Sequence, residues 1–251
     1  MTADTKKEFF ESGRRHVDYV LATCRRYIDP SFQPQRVLDF GCGVGRLVIP
    51  FAKVAREVVG MDISPSMLVE ARRNGDEHQI ANLALVPSND ELSAVEGQFD
   101  LVHSSIVLQH IEVPRGRALF ARLVDRVQPG GIGALHVTFG WEVHAATFGQ
   151  PPAPAAQRAV ASTGWGLGTW ARKQFRRFQP ANCAGVPQQT PDVAADPEMQ
   201  MNFYNLSELL FFVQRAGVKR FHVDFTDHGG ALGVFLFFQK PPASPRQAGF
   251  K

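Results

Sequence analysis

A chain of 251 residues, 44% hydrophobic and 20% charged with a formal net charge of +3, is built like one globular domain with a sizeable core, not like a disordered or fibrous chain. No apolar run approaches the roughly 20 residues that span a bilayer. The opening MTADTKKEFFESGRR lacks the basic-then-apolar layout of a secretion signal, so the expectation is a cytoplasmic protein with no membrane partner.

The first helix is expected over residues 5 to about 28, where Phe9, Val17, Val20, Leu21 and Tyr27 recur near helical spacing; Asp29-Pro30 ends it. Arg36 to Phe40 reads as a short buried strand. It runs into Gly41-Cys42-Gly43-Val44-Gly45, a tight turn, and a helix from Arg46 to Lys53. Glu57 to Asp62 is the second strand, and Ser64-Pro65 caps a helix reaching Arg73. Leu83 to Val86 and Phe99 to Ser104 are the next strands. Pro114 opens a helix to Val127, closed by Pro129-Gly130-Gly131, and Ile132 to Phe139 is the fifth strand. The composition then shifts. All three tryptophans (Trp141, Trp165, Trp170) and a basic run from Arg172 to Arg177 fall between 141 and 200. Asn205 or Ser207 caps a helix through Ala216, stopped by Gly217. Lys219 to Phe225 and Leu232 to Gln239 finish the pattern as strands, joined through Asp227-His228-Gly229-Gly230. Strands alternating with helices at this spacing predict an α/β fold with a mostly parallel sheet covered on both faces.

Three features converge on one edge of that sheet. The glycine turn follows the first strand, where open α/β folds let backbone approach a ligand. Asp62 ends the second strand, 23 positions after Asp39, where an acid accepts both hydroxyls of a ribose. Asn89-Asp90 follows the third strand, placed to read an adenine edge; the two share the assignment. A dinucleotide fingerprint would need glycine where Arg46 stands, which leaves an NAD(P)- or flavin-dependent oxidoreductase as the weaker alternative. A non-catalytic binding protein that kept the fold is the other. Cys24, Cys42 and Cys183 are too dispersed for a disulfide framework or zinc site, and no metal is expected. The basic residues come as scattered doublets, which argues against nucleic acid as a partner.

The stretches VLDFGCGVGRL (37–47), VVGMDISPSML (58–68), FDLVHSSIVLQHI (99–111) and VQPGGIGALHV (127–137) together resemble the class I S-adenosylmethionine-dependent methyltransferases. The resemblance implies a Rossmann-like, mostly parallel seven-stranded sheet with a reversed last strand. It implies S-adenosyl-L-methionine as cofactor and methyl transfer by in-line displacement. It places Gly41 and Gly43 under the methionine moiety and has Asp39 orient the turn or meet the amino group through water. Asp62 binds the ribose, Ile63 and Met67 flank the adenine, Asn89 or Asp90 meets its amine, and Ser104 and Ser105 lie beside the methionine moiety. His110, following the fourth strand, is the expected catalytic base, and His136, inside the fifth, is expected to pack. The Asn-Pro-Pro-aromatic signature of base and amide methylation is missing after the fourth strand, where Ser104-Ser105-Ile106-Val107 stands. A small-molecule acceptor, O- or N-linked, is therefore expected. The domain organisation follows: an N-terminal helical lid (1–35), a cofactor-binding domain (36–140 and 204–240), an inserted acceptor-binding cover (141–203) and a flexible tail (241–251), in a monomer or homodimer.

Overall fold

The computed structural model describes residues 3–142 and 201–243. The sheet lies in one compact unit that takes in 10–142 and the described residues from 201 onward. Most of the expected cover at 141–203, and the tail beyond 243, lie outside the described residues.

Helix α1 runs from Ala3 to Thr23 and passes into a π-helical turn at Cys24–Ile28. Next come β1 (Arg36–Phe40), α2 (Val48–Ala52), β2 (Glu57–Asp62), α3 (Pro65–Glu77), β3 (Leu83–Pro87), β4 (Phe99–Ser104) and α4 (Val113–Arg126). The rest comprises β5 (Val127–Trp141), α5 (Leu206–Arg215), β6 (Arg220–Asp227) and β7 (Ala231–Gln239). The seven strands form one sheet in the order β3-β2-β1-β4-β5-β7-β6, and only β7 runs against the rest. This is the expected Rossmann-like arrangement with a reversed last strand. The order reverses between β1 and β4, the crevice where open α/β sheets bind ligands.

Period-two alternation sorts the strand side chains onto two cores. Val37, Val58, Leu101, Ile132, Phe235 and Phe237 face one side, under Val17, Val20 and Leu21 of α1 and Phe51 of α2. Leu38, Val59, Val102, Leu135, Leu236 and Phe238 face the other, under Leu119, Phe120 and Leu123 of α4 and Leu209 and Val213 of α5. Among the described residues no helix is long and apolar enough to cross a membrane.

Several boundaries differ from expectation. The helix after the glycine turn starts at Val48, not Arg46, because Gly45 is left-handed (φ +93°) and the next two residues complete the turn. Strand β5 is longer at both ends: Val127 pairs Phe99, and Trp141 pairs Ala231 on β7, so the ladder carries it past Pro129-Gly130-Gly131 and Phe139. Asn205, not Ser207, caps α5, its side chain accepting from the Ser207 amide. Ser64 caps α3 as expected, accepting from the Met67 amide.

Buried Tyr204 pins the approach to α5 back onto the sheet. Its amide donates to the Thr138 carbonyl, and its hydroxyl donates to the carbonyls of Leu108 (2.8 Å) and Ile111 (2.7 Å). Tyr204→Phe should therefore lower stability by about 1–2 kcal/mol, the cost of losing a buried hydrogen bond at nearly constant packing. Urea unfolding should show an earlier midpoint with an unchanged slope.

Candidate active site

The turn after β1 is tied to the end of β2. The amides of Gly41 and Cys42 both donate to the Met61 carbonyl (2.8 and 2.9 Å). The Gly43 amide donates to Asp62 Oδ2 at 2.9 Å, and Ser64 N donates to Asp62 Oδ1 at 2.8 Å. Gly41 and Gly43 hold φ of +77° and +54°, and the space where a Gly43 side chain would project is open. The Asp62 carboxylate has about four lone-pair sites, of which two are taken by backbone, so it retains acceptor capacity toward a ligand. Ile63, next in the chain, is 67% exposed beside it, an apolar side chain at the mouth of a polar turn.

Behind this turn lies a buried polar chain. Asp39 and His103 are direct neighbours in the β1–β4 register, and His103 Nδ1 meets Asp39 Oδ1 at 2.7 Å. The other face of the His103 ring reaches α1, where its Nε2 lies 3.1 Å from His16 Nε2. Phe51 and Phe235 enclose the His103 ring edge-on and face-on. Asp39 Oδ2 is buried without a hydrogen-bond partner. Gly13 lets α1 approach this closely, because a side-chain carbon there would run into the Arg46 carbonyl oxygen. Tyr19, one turn on, donates to Asp224 Oδ2 of β6 at 2.6 Å, and Asp224 Oδ1 takes His222 at 2.8 Å.

These elements enclose a cavity of about 720 Å³, which His16, Tyr19, Arg46, Ser105, His136 and Phe235 help to line. Arg46 is packed deep enough to feel desolvation, and the nearby Asp39 charge favours its cationic form. His136 Nε2 meets Thr226 Oγ1 at 2.9 Å. Burial, reinforced by the charges of His103, Arg46, His136 and His228, pushes His16 down to about 2. Burial likewise takes His136 to about 3.

The residues singled out in the sequence separate into groups. Gly41, Gly43, Asp62 and Ile63 come together at the ends of β1 and β2, with half-buried Met67 in the first turn of α3. Ser105 lines the cavity, but Ser104 is fully buried and donates to the Phe40 carbonyl at 3.0 Å, so that hydroxyl bridges strands. Asn89 closes its own turn through Ser93, and Asp90 pairs with Arg115 at 2.6 Å. His110 sits in a short 3₁₀ turn beside Gln109 and is not among the cavity-lining side chains; His136, read as packing, lines it. His16, His103 and Arg46 went unrecognised as site residues. An ionisable residue toward the carboxyl end of each apolar strand, Asp39 in RVLDF and His103 in FDLVHS, was the available signal for the pair.

Both perturbed histidines have folded pKa values far below the ordinary 6.5, so the folded state binds fewer protons than the unfolded chain in acid. Stability should hold above about pH 6.5 and fall as pH drops below it, with a slope approaching about 1.4 kcal/mol per pH unit for each group. His16→Gln and His136→Gln should each flatten that slope in urea titrations between pH 7 and 4.5.

Residues 37–131 match the family model described as a methyltransferase domain. A ribosomal protein L11 methyltransferase of Ralstonia pickettii is 34% identical over 110 residues, 43% of this chain and 34% of the relative. An uncharacterized methyltransferase of Synechocystis is 34% identical over 102 residues, 40% of this chain and 46% of the relative. The chain thus spans less than half the length of these curated relatives. Among solved structures, magnesium protoporphyrin IX methyltransferase from Synechocystis with bound S-adenosylhomocysteine superposes with a TM-score of 0.57. It has 17% identity, over 96% of this chain and 89% of that one. An N-methyltransferase of Bradyrhizobium japonicum in complex with S-adenosylhomocysteine gives 0.54 at 12% identity, over 92% and 88%. Over residues 37–131 the chain therefore matches a methyltransferase domain, in a fold shared with methyltransferases of known structure.

Proposed function

We propose that this protein transfers a methyl group from S-adenosylmethionine to a small molecule bearing an oxygen or nitrogen acceptor. The observation that carries this reading is the cavity of about 720 Å³ whose lining includes Arg46, which follows the glycine turn, and Ser105, which follows β4. That volume suits a small ligand, and its lining mixes aromatic walls with a few polar side chains, as ligand sites do.

The residues present fit the cofactor. The open space over Gly43 admits a ligand against the backbone, Asp62 retains lone pairs for ribose hydroxyls, and exposed Ile63 offers an apolar face to a purine. Met67 and one of Asn89 and Asp90 complete the purine side; Asp90 would do so only by sharing its carboxylate with Arg115. Arg46, which helps to line the cavity, suits the carboxylate of the methionine moiety or an anionic acceptor. When bound, S-adenosylmethionine supplies a methyl group already activated on a sulfonium. The protein's task is then to align the acceptor and exclude water, and alignment of this kind contributes on the order of 7–11 kcal/mol in favourable cases.

The names of the ribosomal protein L11 relatives point to a protein acceptor, but the match covers 110 residues and leaves most of those proteins unmatched. Asp62→Ala should weaken S-adenosylhomocysteine binding by about 10-fold or more in calorimetry, since charge-assisted hydrogen bonds contribute about 1.5–3 kcal/mol each. Circular dichroism would establish that the variant remains folded. Unchanged affinity in folded Asp62→Ala would reject the cofactor assignment, and tight NAD binding by the wild type would favour the oxidoreductase alternative. Labelled methyl transfer to a panel of phenols, alcohols and amines tests the acceptor class. Transfer to ribosomal protein L11 and to no small molecule would overturn that half of the proposal.

A further inference from the structure

We propose that His16, His103 and Asp39 form a proton relay that draws the proton from the acceptor, which makes the acceptor a hydroxyl compound and His16 the catalytic base. This rests on the methyl-transfer reading above and narrows it to oxygen.

The hydrogen-bond order defines the direction of the relay. Asp39 is an acceptor, so the His103 Nδ1–H donates to Asp39 Oδ1 across 2.7 Å. A neutral His103 then carries a bare Nε2, which accepts from His16 Nε2–H across 3.1 Å. The second ring nitrogen of His16, Nδ1, is left with a lone pair, and His16 lines the cavity. The same logic fixes the tautomer of a histidine held by a carboxylate in other hydrolytic and transfer sites.

The cavity's charge decides which acceptor it suits. Arg46 and the imidazoles of His16, His136 and His228 face it. Its carboxylate, Asp224, already accepts from Tyr19 and His222. An ammonium acceptor would meet the Arg46 cation and a carboxylate whose two oxygens each already accept a hydrogen bond, whereas an oxygen that gains negative character as it loses its proton would be stabilised by Arg46. The Phe235 ring and Tyr19 in the wall favour a hydroxyl carried on an aromatic ring, a phenol.

In the step itself, the acceptor oxygen forms its bond to the methyl carbon while the carbon–sulfur electron pair goes to sulfur, leaving a neutral thioether. The hydroxyl proton moves to His16 Nδ1, and the His16 Nε2 proton moves to His103 Nε2. The positive charge lost from sulfur thus ends on His103, adjacent to Asp39, and not on His16, where burial and the Arg46 charge disfavour a cation. Product release opens the cavity to water, and the proton leaves by the reverse path. His16 is the catalytic residue; His103 and Asp39 position it and hold the charge.

Two measurements on the full chain test this. Nitrogen-15 histidine spectra with S-adenosylhomocysteine bound should show His103 protonated at Nδ1 and His16 at Nε2, with the His103 Nδ1 proton shifted far downfield and restored to an ordinary position in Asp39→Asn. The opposite tautomer at either ring overturns the relay whatever the enzyme methylates. On the acceptor found in the panel, His16→Gln should lower kcat by about 100-fold or more with KM for the cofactor unchanged. Its rate should become proportional to hydroxide concentration, because only pre-ionised acceptor then reacts. His103→Gln should give a similar but smaller loss. An unchanged kcat and pH profile in His16→Gln overturns the relay and leaves methyl transfer standing. Transfer to amines alone overturns the oxygen assignment.

Discussion

The carbonyl of Met61 takes two amides, from Gly41 and Cys42, while the carboxylate one residue later takes a third from Gly43. This clamp welds the turn leaving β1 to the end of β2. Each donor is backbone, so the turn's shape is set by chain geometry and needs left-handed angles at Gly41 and Gly43. Everything that faces a ligand at this edge is referenced to it. Asp62 is held from both sides, Ile63 is held out toward solvent, and Ser64 is placed to cap α3. Were the clamp loosened, the α2 start, the α3 cap and the crevice would all move together.

A second constraint is electrostatic. Asp39 is 1% exposed in the middle of a sheet, with one oxygen satisfied by His103 and the other by nothing. A buried carboxylate costs several kcal/mol unless paired and hydrogen-bonded, and a half-satisfied polar chain is worse for stability than apolar packing. The fold retains it at the place where strands, glycine turn and cavity meet. Local conflicts of this kind collect at functional sites. The phenylalanines around His103 lower the local dielectric, which strengthens the Asp39–His103 attraction, and burial in the same region holds His16 uncharged.

Helix α1 joins these two constraints. Its Val17, Val20 and Leu21 belong to the core under the sheet, while His16 and Tyr19 on the adjoining stripe reach His103 and Asp224. Tyr27, in the π-helical turn that follows, stacks on His222 at 3.8 Å between ring centres. The helix thus has one face that stabilises and one that furnishes the cavity wall.

Much of this was written locally in the chain. Buried strands are short apolar runs and the glycine turn is contiguous, so a mostly parallel α/β fold and the order of its elements were legible from spacing, while the reversed last strand came with the family resemblance. The cavity chemistry was not. His16 and His103 are 87 positions apart, and Asp39 and His103 are 64 apart; they meet only because β4 inserts beside β1 and α1 packs across both. Periodicity says which face of an element is buried, but not which residue of another element will lie opposite it. For that reason the sequence pointed to His110, adjacent to the fourth strand, and gave no sign that His16 would line the cavity. Side-chain contacts between elements are set by packing the whole sheet, and no local stretch of sequence encodes that.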